Sequence, residues 1–152
     1  MQNIDRVREN TSAELNIEFD REIARHVRGF EGRSKAEISG RIDELDREWD
    51  IERSLQTNAS IFALSGLALG MTVSKKWLAL PAVVLPFLLQ HAVQGWCPPL
   101  PVLRRLGIRT RKEIESEKYA LKAMRGDFAG VGEGATAQEA LRAVNAGART
   151  RA

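Results

Sequence analysis

A chain of 152 residues has room for about one ordinary domain. Its averages, 28% charged and 43% hydrophobic with a net charge of +3, argue against nucleic acid as a partner, because the basic residues form no aromatic-interleaved patch. A single cysteine excludes an internal disulfide framework and fits a reducing compartment for the polar parts.

Those averages hide a segregation. Residues 1–56 carry 10 Lys+Arg and 14 Asp+Glu, residues 57–103 carry two lysines and no acid, and residues 104–152 carry 11 bases and 6 acids. The middle block reads as an apolar insert between charged flanks. The opening "MQNIDRVREN" has no apolar signal core, so no cleaved signal peptide is expected.

In chain order, residues 1–33 form the first segment, an amphipathic helix opened by a capping-box pattern, Thr11-x-x-Glu14. Leu15, Phe19, Ile23, Val27 and Phe30 give it a narrow apolar stripe. The second segment, residues 34–56, is a charged amphipathic helix leading into the membrane. It starts at Ser34–Glu37, and Ile38, Ile42, Leu45 and Trp49 step by 4, 3 and 4, a seam too brief for a sustained coiled coil. The carboxylates of "RIDELDREWDIER" read as a solvated face, and His26 as solvent-facing.

Residues 57–97 predict a transmembrane helical hairpin. The runs Thr57–Val73 and Trp77–Val93 are each 17 residues, separated by Ser74-Lys75-Lys76. At 1.5 Å per residue each is roughly 25 Å long, short of the ~20 residues that cross about 30 Å of hydrocarbon. Leu55 and Gly95-Trp96 at the interface would complete them. A buried hairpin in a soluble domain is the competing reading, but the remaining helices are too narrow-faced to cover it. Ala59, Ala63, Gly66 and Gly70 recur every four residues, a small-residue row suited to close helix packing. Trp77 and Trp96 bracket the second run as interfacial anchors. Arg104 and Arg105 are expected at the same interface, and with Arg47, Arg53, Arg109, Arg111 and Lys112 they outnumber Lys75 and Lys76 in the turn. By the positive-inside rule both termini are cytoplasmic.

Residues 98–128 are a basic boundary segment and a short helix opened by Thr110–Glu113, with Ile114, Leu121 and Met124 on its apolar side. Residues 129–152 are a Gly/Ala-rich flexible tail with a marginal helix near Thr136–Ala146. The fold class is therefore all-α: two short membrane spans flanked by amphipathic cytoplasmic helices.

The run "TVSKKWLALPAVVLPFLLQHAVQGWCPPLPVLRRLGIRT" carries W-x-A-L-P-A at Trp77–Ala82, G-W-C-P at Gly95–Pro98 and L-x-x-L-G-I-x-T at Leu103–Thr110. Over residues 57–110 it resembles the two-helix inner-membrane domain of the YgaP-like family. The resemblance implies a bacterial inner-membrane hairpin that dimerises, often beside a rhodanese domain. Residues 1–56 have no cysteine and no strand-like alternation, so sulfur transfer is not carried over.

The expected role is a non-enzymatic anchor or accessory protein. Its hairpin self-associates or docks on a membrane complex, and its helices bind a cytoplasmic partner. No catalytic triad, phosphate loop or Cys/His cluster of metal spacing is present, so no cofactor is expected. Two residues are the candidates for chemistry. His91, with Gln90 and Gln94, would line an oligomeric transport or channel element. Cys97 would serve a redox role. Six residues is 240° of net helical rotation, so His91 and Cys97 do not share a face of one helix.

Overall fold

The computed structural model describes residues 5–132 and 135–145, and all regular structure among them is helical. The chain divides into two compact units, Met1–Phe19 with Trp49–Lys112, and Asp20–Glu48 with Glu113–Ala152. Each unit is built from two stretches remote in sequence.

In the first unit, α1 (Arg6–Glu9) is capped by Asp5, whose carboxylate accepts the Arg8 N–H. The helix that follows, α2 (Ala13–Gly29), begins in this unit. Ser12, and not Thr11, accepts at its start, from the Leu15 N–H; the Thr11 hydroxyl donates back to the Val7 carbonyl at 2.7 Å. The long helix α4 (Ile51–Thr72) starts where Asp50 accepts the Arg53 N–H at 2.7 Å. The Asp50 carboxylate also pairs with Arg111 at 2.8 Å, so this acid is buried and structural and does not belong to a solvated face.

A 3-10 turn at Lys75–Leu78, capped by Ser74, leads into α5 (Ala79–Gln94). Pro81 falls in its first turn, where the missing N–H would have no partner in any case, and Pro86 costs one interior bond. α5 ends at Gly95, which takes the left-handed conformation with φ 74°. The short α6 (Leu100–Arg105) follows two prolines. Contacts between α4 and α5 run in opposite numerical order, Gly70 against Leu78 and Gly66 against Pro81, so the two helices form an antiparallel hairpin. At its polar-flanked end Val7, Ile51, Leu55, Cys97 and Leu100 form a small core, with Trp96, Leu103 and Ile108 packed on it.

In the second unit, α3 (Lys35–Arg47) opens with a complete capping box. Ser34 Oγ accepts the Glu37 N–H, and the Glu37 carboxylate accepts the Ser34 N–H at 2.9 Å. Ile38, Ile42 and Leu45 bury against Ile114 and Leu121 of α7 (Arg111–Arg125), with Phe30 alongside. The seam expected to continue through Trp49 ends earlier. Glu48 is extended at φ −62°, ψ 138°, so the charged helix stops and does not run on into the apolar block. Trp49 is exposed, with the Arg53 guanidinium 4.4 Å from its ring centre. Arg125 donates to both carboxylate oxygens of Asp127 and, at 2.7 Å, to Ser39 Oγ, which ties α3 to the end of α7. The last helix among the described residues, α8 (Ala137–Asn145), follows a Thr136–Glu139 capping pair. Parts of the tail expected to be flexible, residues 133–134 and 146–152, lie outside the described residues.

Candidate functional site

Among the described residues one helix, Lys75–Gln94, is long and apolar enough to cross a membrane, and 6% of its apolar window is buried inside the protein. The hairpin was expected to hold two such spans. α4 falls short because its first turns carry Glu52, Arg53, Ser54, Gln56 and Asn58, and Ser60, Ser65 and Thr72 dilute the rest. Along both helices large apolar side chains nonetheless point outward: Ile61, Leu64, Leu67 and Met71 on α4, and Val83, Leu85, Leu89 and Val93 on α5.

The small-residue row faces the partner helix of the same chain. A Cβ on Gly66 would lie 2.5 Å from the Pro81 ring and 3.1 Å from the Trp77 carbonyl oxygen, and one on Gly70 would lie 2.5 Å from a Leu78 methyl. Ala63 and Ala59 lie half-buried along the same helix. Close approach here is therefore intramolecular. Self-association through Gly66 and Gly70 would first have to open the hairpin.

The interface residues divide. Trp77 is exposed beside the turn, and Trp96 is half-buried on the first unit's core. Arg105 is exposed. Arg104 corrects its expected role, because it is 1% exposed and faces inward. Its guanidinium stacks 3.9 Å from the Phe19 ring centre and donates to Ile108 O and Asn16 Oδ1, both at 3.3 Å. A buried, multiply held Arg104 acts as a structural tie and does not anchor on lipid headgroups.

His91 and Cys97 do not share a helix face, as the rotation along one helix implied, yet both line the same cavity. The reversal at Gly95 ends helical geometry between them, so both line one cavity of about 310 Å³. α4 contributes Leu55, Asn58, Ala59 and Phe62 to it, α5 contributes Val84, Phe87, Leu88 and His91, and the chain beyond contributes Cys97, Pro99 and Leu103. Cys97 is 2% exposed, and a thiolate there would be a buried anion, which opposes the reactivity a redox cysteine needs. Gln90 donates to Gln94 at 3.4 Å, and His91 lines the cavity within the chain.

Two residues beside this site carried no sequence signal. Arg6 donates to the Ala92 and Val93 carbonyls, each at 3.0 Å, and Asn10 donates to the Gln94 carbonyl at 3.0 Å. They satisfy the last acceptors of α5, and a cation there complements the helix dipole. Gly95 is required both by its positive φ and by space, because a Cβ would run into Arg6.

In the second unit, fully buried Glu117 accepts from Arg41 through Nε at 3.0 Å and Nη2 at 2.9 Å, and His26 Nδ1 lies 3.4 Å from its other oxygen. His26 is thus a partner of a buried acid, which corrects its reading as solvent-facing. The Arg125 guanidinium beside Asp127 holds that carboxyl below the usual carboxylate range. Lys122 is pushed down by burial first and by Lys118 second.

No family model matches this chain, no curated protein matches it, and no solved structure matches it.

Proposed function

We propose that this chain is an integral inner-membrane protein of the anchor or accessory class, a two-span hairpin of the YgaP-like kind with both termini in the cytoplasm. The observation that carries the reading is the outward apolar surface of α4 and α5, with 6% of the Lys75–Gln94 window buried. Water around Leu64, Leu67, Leu85 and Leu89 would cost about 25 cal/mol per Å² of apolar surface, and a bilayer removes that cost. α4 crosses with α5 because Gly66 and Gly70 bind the two helices together, and its polar first turns belong to the cytoplasmic core around Ile51 and Leu55. The capping of α5 by Arg6 and Asn10 fits the same topology, with the N-terminal segment at the cytoplasmic end of the second span.

Alkaline extraction and flotation of membranes expressing the full chain test the reading, together with thiol labelling of Ser74→Cys in a Cys97→Ala background. We expect retention in the membrane after alkali and labelling of Ser74→Cys from the exterior face. Extraction into the supernatant, or labelling from the cytoplasmic face alone, would overturn it.

A further inference from the structure

The hairpin holds a cavity that anchoring does not need. Its volume of about 310 Å³ falls within the range of small-molecule sites, about 300–1,000 Å³. Its walls are almost wholly apolar, with Phe62, Val84, Phe87 and Leu88 in the helical part. Two polar side chains stand in that wall, His91 and Asn58. His91 is 9% exposed, and its Nδ1 is buried with no hydrogen-bond partner among the described residues. A buried polar atom left without a partner costs roughly 1–3 kcal/mol, so a turn of the imidazole that brings Nδ1 to an oxygen held in the cavity recovers that cost. Asn58 also lines the wall, and one N–H of its amide donates to the Ser54 carbonyl at 2.9 Å.

We propose that this cavity binds a neutral, lipid-soluble molecule bearing a carbonyl or hydroxyl oxygen, hydrogen-bonded to the His91 imidazole, with its apolar body between α4 and α5. An imidazole nitrogen donates to a carbonyl in one tautomer and accepts from a hydroxyl in the other, so both oxygen types fit. A carboxylate or phosphate does not. No lysine or arginine lines the cavity, and an anion would enter an apolar site without a counter-charge. The supply of such a molecule from the bilayer rests on the membrane reading, whereas the cavity and the orphan nitrogen do not.

The test uses the full chain in lipid nanodiscs, with empty nanodiscs as the partition control, and reads the midpoint of thermal unfolding against probe concentration. The probes are a short-tailed benzoquinone, 1-dodecanol and dodecanoate at neutral pH. A ligand that binds the folded state raises the midpoint with concentration. We expect saturable stabilisation by the quinone, the alcohol or both, and none by dodecanoate; the first two arms tell a ring carbonyl from a chain hydroxyl. His91→Phe should leave the unliganded midpoint equal or higher, because it removes an unsatisfied polar atom, yet weaken binding at least 10-fold. Val84→Trp, which fills the cavity and keeps His91, should abolish binding. Equal binding to wild type and His91→Phe, equal binding of dodecanoate, or no saturable binding to wild type would each overturn the proposal. Failure of the membrane reading would register separately, as loss of flotation in a protein that still binds or fails to bind these probes.

Discussion

The α4–α5 hairpin and the second unit use the same amino acids in opposite ways. In the second unit Leu45 and Leu121 are inside, and charged groups such as Arg33, Glu37 and Glu44 are outside. In the hairpin Leu64, Leu67, Leu85 and Leu89 are outside, and the tightest internal packing is made by glycines against a proline ring and a leucine. The difference is what a lipid setting for the hairpin and a watery one for the second unit would produce. The second unit supplies its own cover for apolar surface. The hairpin packs through small residues and leaves its leucines exposed, and under the proposed membrane reading lipid covers them.

The strongest way to break this comparison is to put charge on the hairpin's outer face. Leu64→Lys with Leu85→Lys should cost about 2.5–3.5 kcal/mol for each lysine near the span centre, and membrane retention after alkaline extraction should be largely lost. Met124→Lys, on an exposed position of α7, should leave retention unchanged. A retained double variant would refute the lipid-facing assignment.

Truncation of leucine should show the same contrast at smaller scale. Leu121→Ala removes a fully buried side chain and should cost about 2–5 kcal/mol, seen as a lowered denaturation midpoint of the full chain in detergent. Leu64→Ala should lower it by far less, since that side chain leaves few protein contacts behind.

The glycine pair sharpens the hairpin half of the comparison. Gly66→Ala meets a rigid proline ring and a backbone oxygen, whereas Gly70→Ala meets the end of a leucine that can rotate. We expect Gly66→Ala to cost about 1–3 kcal/mol and Gly70→Ala clearly less, with detergent melting midpoints ranking them. The reverse order would mean that the helices approach differently.

The smallest effect concerns Asp127. Its folded-state pKa is lowered by the hydrogen bond from Arg125, so its contribution to stability is present above the ordinary aspartate pKa and is lost as pH falls through the lower folded value. The midpoint difference between wild type and Asp127→Asn should therefore be largest near neutral pH and should shrink on acidification below the ordinary aspartate range. A difference that stays constant across that range would remove the Arg125–Asp127 pair as its source.

Much of the helical content could be read from the chain. The capping box at Ser34–Glu37 and the stripe of Ile38, Ile42 and Leu45 are local signals with a 3.6-residue period, and they sit where they were expected. The site was less legible. Rotation along an ideal helix separates His91 from Cys97, and only the turn at Gly95 cancels that separation. Arg104, beside a second arginine at the end of an apolar block, has the pattern of an interfacial anchor; its burial depends on Phe19 and Asn16, more than 80 residues away. Asp50 looked like a surface acid for the same reason, since its partner Arg111 lies far along the chain.

By itself the sequence determined that the chain is helical, that its middle third is apolar and free of acid, and where several helices begin. Those are properties of short stretches, set by period, composition and caps. The tertiary structure decided which residues of the flanks and the apolar block share a unit, how Arg6 and Asn10 finish α5, and that His91 and Cys97 open onto one cavity. Such pairings depend on where a turn reverses the chain and on which distant side chains fit the space left, and neither is written in a local pattern.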